Sequence, residues 1–223
     1  MSPRQRWAAV SAFAIAMGYL EAAVVYYLRT MVNRIDPYQA DPLPDFAGLA
    51  LPEVMREAAT MVMLGTIGWL AGRTWRGRIG FTLLAFGIWD ITYYIFLYPL
   101  TGWPKSLASW DVLFLIPLPW WGPVWAPVSI ASLMIGFGLL STVLEQGEPP
   151  VWPRNISLAI CGTGIVLALY VFMADAIRAM PEGEVAVRTT LPKEFGTGLF
   201  AVALALMAMP VLDMGRSLSM RYR

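Results

Sequence analysis

Histidine is absent from this chain of 223 residues, and cysteine occurs once, as Cys161. Without histidine, the chain has no haem site with a histidine axial ligand, no zinc site that contains histidine, and no Ser-His or Cys-His nucleophile pair. A single cysteine excludes an internal disulfide and any CxxC motif. These absences remove many common kinds of catalytic site, and we expect no cofactor.

Charge is also scarce. Charged residues make up 14% of the chain and hydrophobic residues 58%, with a mean hydropathy of +0.59. Soluble domains usually carry about 45–50% apolar and about 25% charged residues. The net charge of +1 gives no basic surface for nucleic acid, which is therefore not an expected partner. The composition predicts a polytopic protein that is embedded in a lipid bilayer.

A helix needs about 20 mostly apolar residues to cross a bilayer, and six segments of the chain fit this description. They are residues 7–28, 54–72, 79–100, 125–144, 156–177 and 197–212. The first segment is too long for the apolar core of a signal peptide and carries Glu21, so we interpret it as a retained helix. The six segments leave no room for a soluble domain. The sequence therefore predicts an all-α transmembrane bundle that forms a single domain over residues 1–223.

Residues 109–121 interrupt this series of spans. Ser109 would cap a helix, Asp111 would lie in its first turn, and Pro117 and Pro119 would end it after about two turns. Because this run is too short to cross the membrane, we predict an outer half-helix that is interfacial or re-entrant. Its tryptophans suit an aromatic belt, and the segment would alternatively cap a cavity.

Lysine and arginine are unevenly divided between the two predicted faces of the membrane. Nine lie on the face that holds both termini, including Arg73, Arg76 and Arg78 in one tight loop, six lie on the other, and Arg56 lies just inside a span on that second side. Cytoplasmic loops carry an excess of lysine and arginine. We therefore expect a multi-pass protein with both termini in the cytoplasm.

Acidic residues within the spans are the most informative feature. A charged side chain near the bilayer centre costs about 2.5–3.5 kcal/mol on insertion scales. Glu21, Glu57 and Asp90 all fall in the outer half of their spans or near the midplane, whereas the inner halves hold almost no charge. We predict that these acids face one another in a carboxylate-lined cavity, which opens to the extracytoplasmic side above an apolar floor.

Four further residues complete the candidate set for binding a substrate or an ion. Tyr93 and Tyr94 lie three and four positions after Asp90, where one phenol would hydrogen-bond its carboxyl within the helix. Asp111 and Arg56 are the other two. The catalytic residues, if there are any, are not identifiable from the sequence.

The charged residues also have purely structural explanations. Arg56 would pair with Glu53, Asp111 would favour the start of a helix, and Asp175 would pair with Arg178 three residues later. Methionines that lie two residues apart point to different faces of a helix, so the thirteen methionines predict no metal site.

Three stretches of the chain resemble a bacterial family of polytopic membrane proteins whose activity is uncharacterised. They are Glu57-Ala-Ala-Thr-Met-Val-Met-Leu, Gly87-Ile-Trp-Asp-Ile-Thr-Tyr-Tyr, and Trp103-Pro-Lys-Ser with the Trp-Asp and Pro-Trp that follow it. The resemblance covers most of the chain and implies a bacterial inner (cytoplasmic) membrane. A much looser similarity is to sterol-isomerase-like proteins of the emopamil-binding type. Their pattern includes a histidine, which this chain lacks, so no residue is carried over.

Three classes of function remain open. A transporter would bind a cation, a proton or a small cationic solute on the carboxylates, although no inverted repeat or inner polar path is evident. An intramembrane enzyme would act on a lipid or isoprenoid by carboxylate acid/base chemistry, although no nucleophile or phosphate motif is evident. A subunit or assembly factor of a larger complex would use its surface to bind a membrane-protein partner or a second copy of itself.

Overall fold

A computed structural model describes residues 1–39, 50–114, 118–144 and 152–221, and this part of the chain is mostly helical. Five helical stretches are long and apolar enough to cross a membrane. They are Pro3–Met31, Trp75–Thr101, Trp125–Val143, Asn155–Glu182 and Thr197–Met220. Their number and composition indicate a multi-pass membrane protein.

Eight α-helices and two strands follow one another in the described part of the chain. The helices are α1 (Pro3–Met31), α2 (Ala50–Ala71), α3 (Trp75–Thr101), α4 (Trp125–Leu144), α5 (Asn155–Ala179), α6 (Glu184–Thr189), α7 (Thr197–Met207) and α8 (Met209–Arg221). A short 3-10 turn (Met180–Glu182) follows α5, and two strands, β1 (Trp110–Phe114) and β2 (Trp120–Pro123), lie between α3 and α4. Helices α7 and α8 form one interrupted span, because Pro210 has no N–H for the carbonyl of the preceding turn.

The predicted second span lies within α2, which is not among the five apolar stretches. Arg56 and Glu57 occupy the early turns of this helix and lower its apolar content. A helix with this charge suits a position beside a polar interior better than one surrounded by lipid. Five of the six predicted spans therefore coincide with helices that can cross a membrane, and the second span, at 54–72, stays a prediction.

The predicted half-helix at 109–121 is wrong. Residues 115–117 lie outside the described part of the chain, but strands β1 and β2 on either side pair antiparallel, with Trp110 opposite Pro123 and Val112 opposite Trp121. Aromatic and β-branched residues fit the surface of a paired strand, and this preference outweighs the helix-capping pattern at Ser109. Asp111 consequently sits in a strand rather than in the first turn of a helix.

The two strands mark one end of the bundle, which we name the sheet end. At this end Arg29, near the end of α1, contacts Asp111 in β1. At the opposite end Arg6 donates to the carbonyl of Ala71 at 2.9 Å, and Asp213 accepts hydrogen bonds at the start of α5. The helices therefore run alternately between the two ends.

Helix α3 is the centre of the first half of the molecule, where α1, α2 and α4 all pack against it. The α3–α4 contact is close because glycines face it. A Cβ atom at Gly138 would lie 2.6 Å from the carbonyl oxygen of Gly80, and one at Gly87 would lie 2.5 Å from that of Ala131.

Helix α5 belongs to the second half of the molecule, where it packs against α7 and α8. Within the described ranges, no Cα atom of α5 comes within 8 Å of one in α1, α2, α3 or α4. Helix α4 joins the halves through its contacts with α7 and α8. The space between α5 and the α3–α4 pair is therefore not filled by direct helix packing.

Candidate functional site

A cavity of about 900 Å³ occupies this space between the two halves. Helices α3, α4 and α5 supply half of its lining residues, and α1, α2, the two strands, α7 and the start of α8 contribute further side chains. Its volume lies toward the upper end of the range for small-molecule sites, about 300–1,000 Å³.

The part of the cavity near the sheet end is rich in charged and phenolic side chains. They are Glu21, Arg29, Arg34, Arg56, Glu57, Asp90, Tyr93, Tyr94 and Asp111. All seven residues that were predicted from the sequence as a binding set are among them. The structure thus brings the seven side chains to one cavity.

The rest of the cavity, toward the opposite end, is apolar. Its lining includes Leu83, Phe86, Met134, Phe137, Leu158, Ile165, Leu169 and Val211. Along α3 the lining residues recur every three or four positions, from Ile79 through Asp90 to Tyr94, and so occupy one face of the helix. At about 1.5 Å per residue, this face extends for about 22 Å. The cavity is therefore long and amphipathic, with Asp90 at the boundary between its two parts.

Asp111 lies at the centre of a buried ionic contact at the sheet end. Its Oδ1 accepts a hydrogen bond from Arg29 at 2.9 Å, and its Oδ2 accepts one from the Tyr94 hydroxyl at 3.2 Å. The guanidinium of Arg29 also lies 4.3 Å from the centre of the Trp103 ring. Burial raises the pKa of the Asp111 carboxyl above its ordinary value, and Arg29 and Tyr94 partly oppose this shift. One phenol, Tyr93 or Tyr94, was predicted to bond to Asp90, but the Tyr94 hydroxyl donates to Asp111 instead.

Arg56 contacts Glu21 and so joins α2 to α1 beside the cavity. The sequence had suggested Glu53 as its partner, but the Glu53 side chain lies outside the described residues. Arg34 donates to the carbonyl oxygens of Pro37 and Gln39, at 3.0 and 3.2 Å. Each of the three arginines that line the cavity is therefore already engaged by an acceptor within the protein.

Asp90 is in a different situation. Its Oδ2 is buried and has no hydrogen-bond partner in the described part of the chain. The same holds for the indole N–H groups of Trp89 and Trp120, which also line the cavity. Buried polar atoms are nearly always satisfied, so this carboxylate oxygen is available to accept a hydrogen bond from a water or a ligand in the cavity.

One side of the cavity is open between α2 and α5. Met61 in α2 and Ile165 in α5 both line the cavity, yet their side chains are 36% and 44% exposed. No Cα atoms of these two helices approach within 8 Å of each other in the described ranges. Cys161, one turn from Ile165, lines the cavity and is half-buried. The opening faces the surroundings of the bundle.

Two charged lining residues, Arg29 and Arg34, were not among the predicted site residues. Arg29 did have a signal in the sequence, since it follows Glu21 and Val25 at steps of four on one face of α1. The sequence carries no such signal for Arg34, because the backbone partners of Arg34 depend on how the chain turns after α1. The predicted Asp175–Arg178 pair is confirmed, with an N–O distance of 2.7 Å, and neither residue lines the cavity.

The fold and the cavity together define a class: a multi-pass helical membrane protein with an internal amphipathic cavity that opens sideways. No protein family, curated protein or solved structure matches the chain. Its function is therefore inferred from its own residues.

Proposed function

We propose that the protein binds a lipid-like amphiphile in this cavity, with the polar group toward the sheet end and the apolar chain toward the opposite end. The observation that carries the proposal is that one continuous cavity has a charged part and a long apolar part. A ligand with the same division of polarity fits both parts at once. A hydrated ion or a small polar solute would leave the apolar part without a function.

The energetics of the apolar part support a chain-bearing ligand. The apolar part offers a hydrocarbon chain surroundings like those of the bilayer, and relative to water each buried methylene group is worth about 0.8 kcal/mol, or about fourfold in affinity. The polar part adds specificity, since a few well-placed polar groups fix the orientation of a ligand in an otherwise apolar site.

The side opening supports entry from the membrane. An amphiphile in the bilayer already lies with its chain among lipid tails, so passage between Met61 and Ile165 would keep the chain in apolar surroundings throughout. We further propose a bacterial inner membrane with the sheet end on the extracytoplasmic side, because the Lys/Arg distribution favours this orientation. The polar group would then lie nearer the outer leaflet.

Transport of a cation or small cationic solute is the second candidate. It is favoured by the four acids that line the cavity, Glu21, Glu57, Asp90 and Asp111. The two candidates differ in one measurable respect, which is whether affinity depends on the length of an apolar chain.

The test is native mass spectrometry of the protein in mild detergent, with single-headed amphiphiles of increasing chain length. We expect one bound molecule and tighter binding with each added methylene until the apolar part is filled. Met134→Trp places a large ring in the apolar part and is expected to weaken binding of the longest chain by about tenfold or more, the equivalent of about two methylenes. Leu139→Trp on the same helix is the matched control, since Leu139 is exposed and does not line the cavity.

Binding that is independent of chain length, or equally affected by both tryptophan variants, would contradict the proposal. Tight binding of a short cationic solute without any chain would instead favour the second candidate.

A further inference from the structure

We infer that the polar group of the ligand is a cation, such as an amine, and that it is held by the carboxylate of Asp90. This inference rests on the proposed function, since it specifies which amphiphile the cavity accepts. Three observations support it: the balance of charge in the lining, the engagement of the arginines, and the position of Asp90.

The charged part of the cavity has one more acid than base. Among the described lining residues there are four carboxylates and three arginines. A cavity with an excess carboxylate in surroundings of low polarity is complemented by a ligand with a single positive charge, because an isolated buried charge is costly and a paired one much less so.

The arginines argue against an anionic head group. Arg29 is held between Asp111 and the Trp103 ring, Arg34 by two backbone carbonyls, and Arg56 by Glu21. A phosphate or carboxylate head would have to share an arginine with the acceptor that already engages it. It would also bring a second negative charge close to the acids that line the same space.

Asp90 is the lining acid with an unsatisfied oxygen. Its Oδ2 is buried and lacks a partner within the described residues, so it is available to accept a hydrogen bond from an ammonium group. It lies one turn from Phe86 on the apolar side and one turn from Tyr94 on the charged side, where a head group would be when its chain fills the apolar part. The Tyr93 and Tyr94 rings, 4.8 Å apart between centroids, line the same part of the cavity next to Asp90.

The experiment uses four amphiphiles with one chain length and different heads: a primary amine, an alcohol, a carboxylate and a phosphate. Their affinities are measured for the whole protein by native mass spectrometry at one ionic strength. In the wild type, we expect the amine to bind about tenfold or more tighter than the alcohol, and both anions to bind least, since a hydrogen bond to a charged group is stronger than a neutral one.

Asp90→Asn keeps the shape of the side chain and removes its charge. We expect this variant to lose the preference for the amine over the alcohol while its dependence on chain length is unchanged. Asp175→Asn, the same substitution outside the cavity, is expected to keep the wild-type order of affinities.

Two outcomes would overturn the inference: an anion that binds the wild type as tightly as the amine, or an amine preference that survives in Asp90→Asn. The wild-type series alone decides the first outcome, even where Asp90→Asn does not fold. If no head group gives binding that depends on chain length, the proposed function itself fails. If chain-length dependence holds and the order of heads is flat, only this inference fails.

Discussion

Asp90 and Asp111 line the same cavity but differ in their hydrogen-bond partners. Asp111 is 2% exposed and accepts hydrogen bonds from Arg29 and Tyr94, so its burial is compensated within the protein. Asp90 has a buried oxygen with no partner among the described residues. The first arrangement is typical of a structural ion pair, and the second is typical of a position that a ligand completes.

Removal of the Asp111 carboxylate is expected to destabilise the fold. Asp111→Ala leaves the Arg29 guanidinium buried without its anion, and breaking a buried pair in this way costs about 3–5 kcal/mol. Asp175→Ala, which breaks the exposed pair with Arg178, is expected to cost less than about 1 kcal/mol. The free energy of unfolding of both variants, measured in the same detergent, checks this difference. Equal losses would show that the Arg29–Asp111 contact does not stabilise the fold as described.

At this scale, the sequence predicts which residues are unusual more reliably than what they contact. The cost of charge inside a span singles out Glu21, Glu57 and Asp90 without any structure. The partners of these residues do not follow from the cost of charge. Arg56 in α2 contacts Glu21 in α1, and the Tyr94 hydroxyl donates to Asp111 in β1. Only the local Asp175–Arg178 pair was predictable, since it lies within one helical turn.

The contact between α3 and α4 depends on the absence of side chains at particular glycines. Gly138 approaches the carbonyl oxygen of Gly80 and the backbone of Leu84, whereas Gly136 has only Val211 nearby, at 3.7 Å from the position of its Cβ. Two glycines that look alike in the sequence therefore have different roles. Small residues at such contacts let helices in a membrane pack closely.

Alanine substitutions at these two glycines are expected to have opposite effects on stability. Gly138→Ala forces α3 and α4 apart and should destabilise the protein by about 1–3 kcal/mol, the usual cost of overpacking. Gly136→Ala meets only an ordinary contact and should be neutral or stabilising by up to about 1 kcal/mol, because alanine favours a helix over glycine. Thermal unfolding of the two variants measures this contrast. A stable Gly138→Ala variant would contradict the close approach of the two helices.

The elements themselves divide into those that hydropathy predicts and those that it does not. Long apolar runs produce the apolar helices, and their predicted bounds fall within or close to the observed ones. The strands at 110–114 and 120–123 were missed because the signals at Ser109 and Asp111 also suit a helix start. The pairing of Val112 with Trp121 favours strands over a helix. This pairing joins residues that lie nine positions apart, so neither segment indicates it by itself.

At the scale of the whole molecule, the cavity lies between two groups of helices that do not pack fully against each other. Helices α1 to α4 form one group around α3, α5 joins α7 and α8, and α4 links the groups without closing the space beside α5. The charge pattern predicted a carboxylate-lined cavity above an apolar floor, but it did not predict that the cavity lies beside α5, because the order of helices around a bundle does not follow from hydropathy. The individual apolar lining residues were not predicted either, since an apolar side chain that faces a cavity looks the same in sequence as one that faces lipid.

The most direct test of the central claim uses Cys161, the single cysteine of the chain, which lines the apolar part of the cavity. The measurement is the rate at which a membrane-soluble maleimide alkylates this thiol in proteoliposomes, with and without a saturating long-chain amine. We expect the long-chain amine to slow alkylation several-fold in the wild type, whereas a short-chain amine with the same head leaves the rate unchanged. An unchanged rate at saturation, or equal protection by the short amine, would contradict the presence of an amphiphile in this cavity.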